Sequence, residues 1–115
     1  MPRKYYNLSR LVEADTRISH DENYVAVDRD GVVDRVIIGW KSGTQDLTTM
    51  VHLVSVDVKV DGNPVTSSPV AWGDAVITLE PEMPVRAGSI ISAEIDNGDK
   101  DNRHEVLVLV GVRYE

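Results

Sequence analysis

Residues 54–60 of this chain read VSVDVKV, in which every valine is followed by a polar residue until the run ends. A period of two places the four valines on one face of an extended strand, and a helix would scatter them. The other apolar residues agree with this pattern, because the chain holds 19 Val and 7 Ile against 7 Leu and has no Phe. Side chains branched at Cβ favour strands, so we expect an all-β fold.

Turn residues separate the apolar runs at intervals of about 8 to 12 residues, which is typical of a β-sandwich. The sequence DRDG at 28–31 predicts a hairpin between the runs at 23–28 and 32–40. Asp61 and Gly62 predict a second hairpin. We therefore expect a single jelly-roll-like β-sandwich with roughly seven to nine short antiparallel strands.

The length of 115 residues indicates one domain. We expect residues 1–22 to form an N-terminal arm or a short helix and residues 23–115 to form the sandwich. The helical alternative rests on Leu8, Leu11 and Val12, whose spacing suits one face of a helix. The same segment could equally lie extended.

Net charge is −7, with 12 Asp and 7 Glu against 8 Arg and 4 Lys. A composition rich in Asp and poor in Lys resembles that of proteins from halophiles, in which salt screens the repulsion between like charges. An acidic chain is poorly suited to neutralising phosphates, so we expect no nucleic-acid partner. Residues 1–17 carry more basic than acidic side chains, and this basic segment could pair with an acidic neighbour in an assembly.

The closing run EVLVLVGVRY, at 105–114, is apolar on both of its faces. Leu107 and Leu109 point away from the side that carries the alternating valines. A strand with water on one side should alternate apolar with polar residues, so we expect this outer side to be covered. The cover would come from the N-terminal arm or from another subunit.

The acidic stretch IDNGDKDNRHE, at 95–105, comes closest to a metal-binding motif. An EF-hand loop needs oxygen ligands at alternate positions, Gly at the sixth position and Glu at the twelfth. Neither a frame that starts at Asp96 nor one that starts at Asp99 satisfies this pattern. We therefore predict a solvated hairpin loop without a metal, and keep calcium binding by Asp96, Asp99 and Asp101 as the lesser alternative.

No motif in the chain indicates catalysis. Serines such as Ser42 lack the strained turn and the adjacent base that a nucleophile needs, and the three histidines have no metal-binding spacing. We expect no catalytic residues, no enzyme activity and no cofactor. No apolar run approaches the roughly 20 residues that cross a bilayer, so we expect no membrane partner.

Trp40 and Trp72 are the two largest side chains in a chain without Phe. An aromatic ring exposed on a loop can stack on a sugar, so both residues are possible glycan contacts. Large aromatics also fill cores, and the sequence favours that interpretation for both.

The segment PVRAGSIISAEIDNGDKDNRHEVLVLVGVRYE, at 84–115, resembles the C-terminal half of small jelly-roll structural proteins of tailed viruses and their relatives. The upstream stretches VDVKVDGNPV and WGDAVITLEPEMPV lie where such proteins have their middle strands. The shared pattern consists of turns and strands rather than a fingerprint motif.

The resemblance implies a non-enzymatic virion component, either a capsid-decorating or a minor capsid protein. Together with the salt-adapted composition, it predicts a haloarchaeal virus. Such proteins assemble with themselves, as a trimer or a larger ring, and dock on other capsid proteins. We expect the interface to include Tyr5, Tyr6, Leu8, Leu11, Leu107 and Leu109. The alternative function is a carbohydrate- or receptor-binding module.

Overall fold

The computed structural model describes residues 2–42, 54–65, 70–71 and 76–114. These residues form twelve strands and one 3-10 turn at His20–Glu22. The strands are β1 (Arg3–Asn7), β2 (Arg10–Val12), β3 (Thr16–Ile18), β4 (Tyr24–Ala26), β5 (Gly31–Ser42), β6 (Val54–Val60), β7 (Asn63–Pro64), β8 (Val70–Ala71), β9 (Ile77–Leu79), β10 (Met83–Val85), β11 (Ile90–Asn97) and β12 (His104–Tyr114). No helix in this part of the chain is long and apolar enough to cross a membrane.

The strands pair antiparallel in two sheets. In sheet A, β12 and β5 lie at the centre; β1 and β2 both pair with β12, and β9 and β10 both pair with β5. In sheet B, β11 and β6 lie at the centre; β3 and β4 both pair with β11, and β7 and β8 both pair with β6. In each sheet, two short strands lie end to end along each outer side of the central pair, so each sheet is four strands wide.

The chain crosses repeatedly between the two sheets, so that neighbouring strands come from distant parts of the sequence. Sheet A joins the first strands to the last strand, and sheet B joins β3 and β4 to β11. Two four-position sheets connected in this way form a jelly roll. The predicted all-β, jelly-roll-like sandwich is therefore confirmed, and its eight strand positions lie within the predicted number.

The core lies between the two sheets and consists mostly of valine and isoleucine. All four valines of VSVDVKV are buried on the inner side of β6, as their alternation predicted. The valines of β12 face them from the other sheet; they are Val106, Val108, Val110 and Val112. Burying one such side chain contributes about 1.5–3 kcal/mol to the stability of the fold.

The N-terminal segment belongs to the sheets. β1 pairs with β12 from Arg3 opposite Arg113 to Asn7 opposite Leu109, and β2 continues along the same edge. The helical alternative for this segment is wrong, because the free edge of β12 offers its backbone a ladder of hydrogen bonds. Tyr6 and Leu8 point into the core and are buried there.

Three of the four basic side chains in residues 1–17 pair with acidic groups of the same chain, and Arg10 instead donates to the carbonyl oxygen of Glu22. Arg3 pairs with Asp34, Lys4 lies 3.1 Å from Asp28, and Arg17 lies 3.2 Å from Asp96. The local excess of positive charge predicted at the N-terminus is thus neutralised within the domain.

The two predicted hairpins have different outcomes. Asp61 and Gly62 connect β6 to β7 with φ angles of 51° and 80°, as a two-residue turn with both central residues left-handed requires. The hairpin predicted at DRDG is wrong, because β4 pairs with β11 in sheet B whereas β5 pairs with β12 in sheet A. The 28–31 segment is a crossover between the sheets.

Candidate functional site

The outer side of sheet A carries an apolar surface at its centre. Leu107 is 37% exposed and Leu11 is 51% exposed, while Val76 beside them is 65% exposed. Leu109 and Ile37, which lie opposite each other in the register of β12 and β5, are half-buried on the same side. We call this surface the leucine face, formed by Leu11, Ile37, Gly39, Val76, Leu107 and Leu109.

A groove runs across the leucine face where one strand lacks a side chain. Gly39 lies opposite Leu107 in the register. A Cβ atom at Gly39 would lie 3.3 Å from the Cγ2 atom of Val76 and 3.7 Å from the Cδ2 atom of Leu107. The missing side chain leaves a groove of about 490 Å³, lined by Ser9, Arg10, Leu11, Gly39, Val76, Glu105, Val106 and Leu107. The aliphatic side chains in its lining suit an apolar side chain from another molecule.

The N-terminal strands do not lie across this surface. β1 and β2 pair with the edge of β12, so they extend sheet A sideways and leave its outer side open. Residues 2–12 therefore do not form the cover that we expected the N-terminal arm to give the outer side of β12.

Charged groups stand at both ends of the leucine face. At one end, Glu105 lies opposite Leu11, and the Arg10 guanidinium donates to the carbonyl oxygen of Glu22 over 2.9 Å. At the other end, the guanidinium of Arg35 donates to the Tyr5 hydroxyl over 3.2 Å.

Asp34, close to Arg35, is buried between two other arginines. Arg3 and Arg113 both donate to its Oδ2 atom, Arg113 over 3.2 Å. Burial raises the pKa of Asp34, but the hydrogen bond from Arg3 and the charges of both arginines outweigh it, so the pKa lies below its ordinary value. Asp34 therefore holds this end of β1 against β5 and β12 as an ionised carboxylate.

The six predicted interface residues divide into two groups. Tyr6 and Leu8 lie in the core of their own chain and present almost no surface to a partner. Tyr5, Leu11, Leu107 and Leu109 lie on the outer side of sheet A or at its edge. An interface formed by these four stays a prediction.

The acidic loop is solvated over most of its length, as predicted, since Gly98, Lys100, Asp101 and Arg103 are exposed, but the prediction of a hairpin is wrong. It connects β11 in sheet B to β12 in sheet A. Asn97, Asp99 and His104 are all buried. The Asn97 amide lies 3.2 Å from the carbonyl oxygen of Val12, so the loop is tied to the N-terminal segment.

Asp99 is the centre of this network. Its carboxylate accepts hydrogen bonds from the backbone amide of Asp101 at 3.0 Å and from Nε2 of His104 at 2.9 Å. Burial raises the pKa of Asp99, but these hydrogen bonds, with one from Asn102, outweigh it and leave the pKa below its ordinary value. The loop's carboxylate thus has its hydrogen bonds from within the chain.

The three acidic residues of the calcium alternative point to different partners. Asp96 pairs with Arg17 on the outer side of sheet B, Asp99 binds within the loop, and Asp101 is exposed. Among the described residues, no group of three or more His, Cys, Asp or Glu side chains could hold a metal ion.

The outer side of sheet B brings together a serine, a histidine and an aspartate that the sequence did not reveal. The Oγ atom of Ser92 lies 2.7 Å from Nδ1 of His20, and Asp57 Oδ2 lies 3.2 Å from Nε2. These residue types can form a catalytic triad. Here, however, Ser92 is buried in the middle of β11, whose backbone is paired with β4 and β6 on its two sides. The backbone N–H groups that could stabilise an oxyanion are thus used in strand pairing. The three side chains instead hold the 3-10 turn against sheet B.

The side chains of both tryptophans predicted as glycan contacts lie outside the described residues. Trp40 is in β5 opposite Val106, but its side chain lies outside the described residues, as does all of Trp72. Glycan contact by either residue stays a prediction. The aromatic side chain most exposed in the described part is Tyr24, at 60%, on sheet B.

No protein-family model matches the chain, and neither does any curated protein. Solved structures do share its fold. The CBM36-1 domain of a multidomain xylanase from the hindgut metagenome of Trinervitermes trinervoides superposes with a TM-score of 0.54 at 8% identity, over 99% of this chain and 98% of that one. A carbohydrate-binding module CBM36 in complex with calcium and xylotriose gives 0.52 at 10% identity, over 94% and 98%. At such identities the likeness establishes the jelly-roll fold alone.

A viral protein is also among the similar structures. The C-terminal domain of a structural protein from Sulfolobus turreted icosahedral virus matches at 12% identity, over 93% of this chain and 98% of that one. Its TM-score is 0.36, too low to support an argument about this chain.

Proposed function

We propose that this protein is a non-enzymatic assembly domain that forms oligomers through the leucine face and docks on a protein shell. The observation that carries the proposal is the outer side of β12, where Leu107 and Leu109 remain uncovered by the chain's own N-terminal strands. Contiguous exposed apolar surface bounded by charged residues is typical of protein–protein contacts.

The chemistry of the groove favours a protein over a sugar or a reacting substrate. Its described lining is aliphatic at Leu11, Val76 and Leu107 and includes no aromatic ring. A sugar site normally offers an aromatic surface for stacking and several convergent hydrogen-bonding groups. Among the described lining residues, Glu105 and Arg10 are charged, and they would orient a partner rather than act on it.

Within this class, we propose a virion component, a capsid-decorating or minor capsid protein. The supporting feature is the resemblance of residues 84–115 to jelly-roll structural proteins of tailed viruses, together with the jelly-roll topology. Its place in a haloarchaeal virus rests on the acidic, Lys-poor composition and on that resemblance.

The proposal is tested by light scattering after size exclusion, at physiological and at molar salt. We compare the native chain with Leu107→Lys and with Ile90→Lys, a matched control that is 39% exposed on sheet B. We expect a defined oligomer for the native chain and for Ile90→Lys, and a smaller species for Leu107→Lys. Monomers of the native chain under every condition would overturn the proposal.

The second candidate function is carbohydrate binding. It is favoured by the fold that the chain shares with two CBM36 domains over nearly its whole length. Tryptophan fluorescence during titration with xylotriose separates the two candidates, since Trp40 and Trp72 are the residues predicted to stack on sugar. We expect no saturable change; a saturable change that Trp40→Ala or Trp72→Ala abolishes would put carbohydrate binding first.

A further inference from the structure

We propose that Asn97 and Gly98 form a deamidation site that the fold keeps closed, so that opening of the acidic loop leads to an irreversible change in the chain. Asn97 is the only asparagine in the sequence that is followed by glycine. In such a pair the backbone nitrogen of the glycine attacks the side-chain carbonyl carbon of the asparagine, since the glycine has no side chain to hinder the approach.

The reaction exchanges one bond to nitrogen for another. The bond between Asn97 Cγ and Nδ2 breaks, and a bond between the Gly98 nitrogen and Cγ forms. The Nδ2 atom leaves as ammonia and takes the proton of the Gly98 nitrogen with it. Water then opens the cyclic imide at either of its two carbonyl groups, which gives aspartate or isoaspartate at position 97. Water is therefore the sole co-reactant.

The side chain of Asn97 is held away from this reaction at both of its polar atoms. Its Oδ1 atom accepts a hydrogen bond from the backbone amide of Asp99 at 3.0 Å. Its Nδ2 atom lies within 3.2 Å of three carbonyl oxygens, those of Val12, Glu13 and Asn102. The leaving group is thus fixed among acceptors, and Cγ cannot turn towards the Gly98 nitrogen without breaking these contacts.

The backbone at this position is fixed as well. Asn97 is the last residue of β11 and pairs with Thr16 on one side and with Val54 on the other. Attack on Cγ needs rotation about the bond between the Cα and the carbonyl carbon of Asn97, and the two neighbouring strands oppose that rotation. Asn97 is fully buried whereas Gly98 is exposed to solvent. The protection of the pair therefore comes from its geometry rather than from distance to water.

The product cannot take the place of the amide. A carboxylate at position 97 accepts hydrogen bonds but donates none, so the carbonyl oxygens of Val12 and Asn102 lose their donor and face a negative charge. Asp99, whose backbone amide contacts this side chain, already carries an ionised carboxylate in the same loop. Isoaspartate adds a methylene group to the backbone, which disturbs the register of β11 with its neighbours. A loop that has opened and deamidated therefore does not close again as in the native chain.

The position of the acidic loop gives this change its consequence. The loop connects β11 in sheet B to β12 in sheet A. It is tied to the N-terminal segment through Val12 and through the Asp15 amide, which donates to the Asp99 carbonyl oxygen over 2.8 Å. Permanent opening would release these ties, so deamidation at Asn97 converts a brief local opening into a lasting loss of stability.

The test measures deamidation of the full chain by peptide mass spectrometry in mildly alkaline buffer, with and without unfolding concentrations of guanidinium chloride. We expect Asn97 to react about tenfold or more slowly in the folded chain, because only the open fraction reacts. Asn102, which is followed by Arg103, is the internal reference and should stay slow in both states. Equal rates at Asn97 in the two states, or no reaction at Asn97 in the unfolded chain, would overturn the proposal.

Two variants connect the reaction to the acidic loop. Asp99→Ala removes the carboxylate that accepts hydrogen bonds from the Asp101 amide and from His104, and leaves the reacting pair intact. Asn97 should then deamidate about tenfold faster, the effect of losing a hydrogen bond to a charged group. Asp101→Ala, at an exposed side chain, is the matched control and should react at the native rate. A native rate in folded Asp99→Ala would contradict the coupling.

Should Asp99→Ala not fold, guanidinium chloride below the unfolding midpoint of the native chain takes its place. The rate at Asn97 should rise before the global transition, as local opening requires. A rate that rises only together with the global transition would overturn the role of the acidic loop.

The irreversible step is tested on the product. Ion exchange separates the deamidated chain from the native chain, because the product carries an additional negative charge. The isolated product and the variant Asn97→Asp should both melt at a lower temperature than the native chain at neutral pH. A product that melts together with the native chain would show that the loop closes again after the reaction, and the proposal would fall.

Discussion

The Oδ1 atom of Asp28 lies 2.7 Å from the Tyr114 hydroxyl, which joins the crossover between the sheets to the last strand of the chain. The same oxygen accepts a hydrogen bond from Tyr6 at 3.0 Å, and the other carboxylate oxygen accepts one from Lys4 at 3.1 Å. Both tyrosines are buried. One carboxylate therefore ties the first strand, the crossover and the last strand together at one end of sheet A.

These hydrogen bonds make the stability of the fold depend on pH. The bonds from Tyr114, Lys4 and Tyr6 hold the pKa of Asp28 well below its usual range. A lowered folded-state pKa gives stability that is complete above the unfolded-state pKa, near 3.9, and is lost as the pH falls towards the folded-state value. We predict that Asp28→Asn lowers the melting temperature at pH 7 and that the difference from the native chain narrows below about pH 4.

Calorimetry from pH 7 to pH 2 checks this prediction, with Asp21→Asn as the control. Asp21 is exposed and makes no side-chain hydrogen bond among those described. A difference between Asp28→Asn and the native chain that stays constant over the whole pH range would contradict the assignment.

The buried amide of Asn97 should be a major anchor of the acidic loop. Its Nδ2 atom lies within 3.2 Å of the carbonyl oxygens of Val12, Glu13 and Asn102. Asn97→Ala leaves such buried acceptors without their donor, so we predict a loss of about 1–3 kcal/mol in the free energy of unfolding. Urea denaturation measures the loss, and Asn63→Ala, at an exposed position in β7, should cost far less.

Calcium should not stabilise this domain. The carboxylate of Asp99 already accepts hydrogen bonds from within the loop, and Asp96 pairs with Arg17. We predict the same melting temperature in excess calcium and in excess chelator. A rise with calcium that disappears in Asp99→Asn would instead support the ion site.

Ser92 should be a structural residue and not a nucleophile. We predict no labelling of the native protein by a fluorophosphonate, because the described surroundings of Ser92 lack free oxyanion donors. Ser92→Ala should lower the free energy of unfolding by about 1 kcal/mol through the lost hydrogen bond to His20. Stoichiometric labelling that Ser92→Ala or His20→Ala abolishes would contradict this interpretation.

The alternation of valines was enough to predict the sandwich, because a buried strand face must repeat every second residue. In β6 the inward side of Val54 through Val60 agrees with the sequence pattern at every position. The two-residue turn at Asp61 and Gly62 was also predictable, since it depends on backbone preferences that neighbouring residues encode.

Long-range choices between partners were not predictable in this way. The DRDG sequence predicts that the chain reverses its direction. It does not indicate that β4 pairs with β11 and that β5 pairs with β12. Likewise, the spacing of Leu8, Leu11 and Val12 suited a helix. The segment forms strands because the edge of β12 offers its backbone hydrogen-bonding partners.

The candidate site was partly visible in the sequence. Leu107 and Leu109 were singled out because a strand with water on one side should not be apolar on both. The groove at Gly39 and the contact between Arg35 and Tyr5 depend on cross-strand register, which one sequence does not contain. The anchoring of the loop was missed for the same reason, since the Asn97 amide joins it to Val12 and the Asp99 carbonyl joins it to Asp15.

The central claim, that the leucine face is buried between copies of the chain, is tested most directly by thiol reactivity. The chain has no cysteine, so Leu107→Cys and the control Ile90→Cys each introduce a single thiol. The rate of reaction with a thiol reagent is measured over a wide range of protein concentration. We predict that the thiol at position 107 reacts more slowly as the concentration rises while the thiol at position 90 does not; equal and constant rates at both positions would contradict the claim.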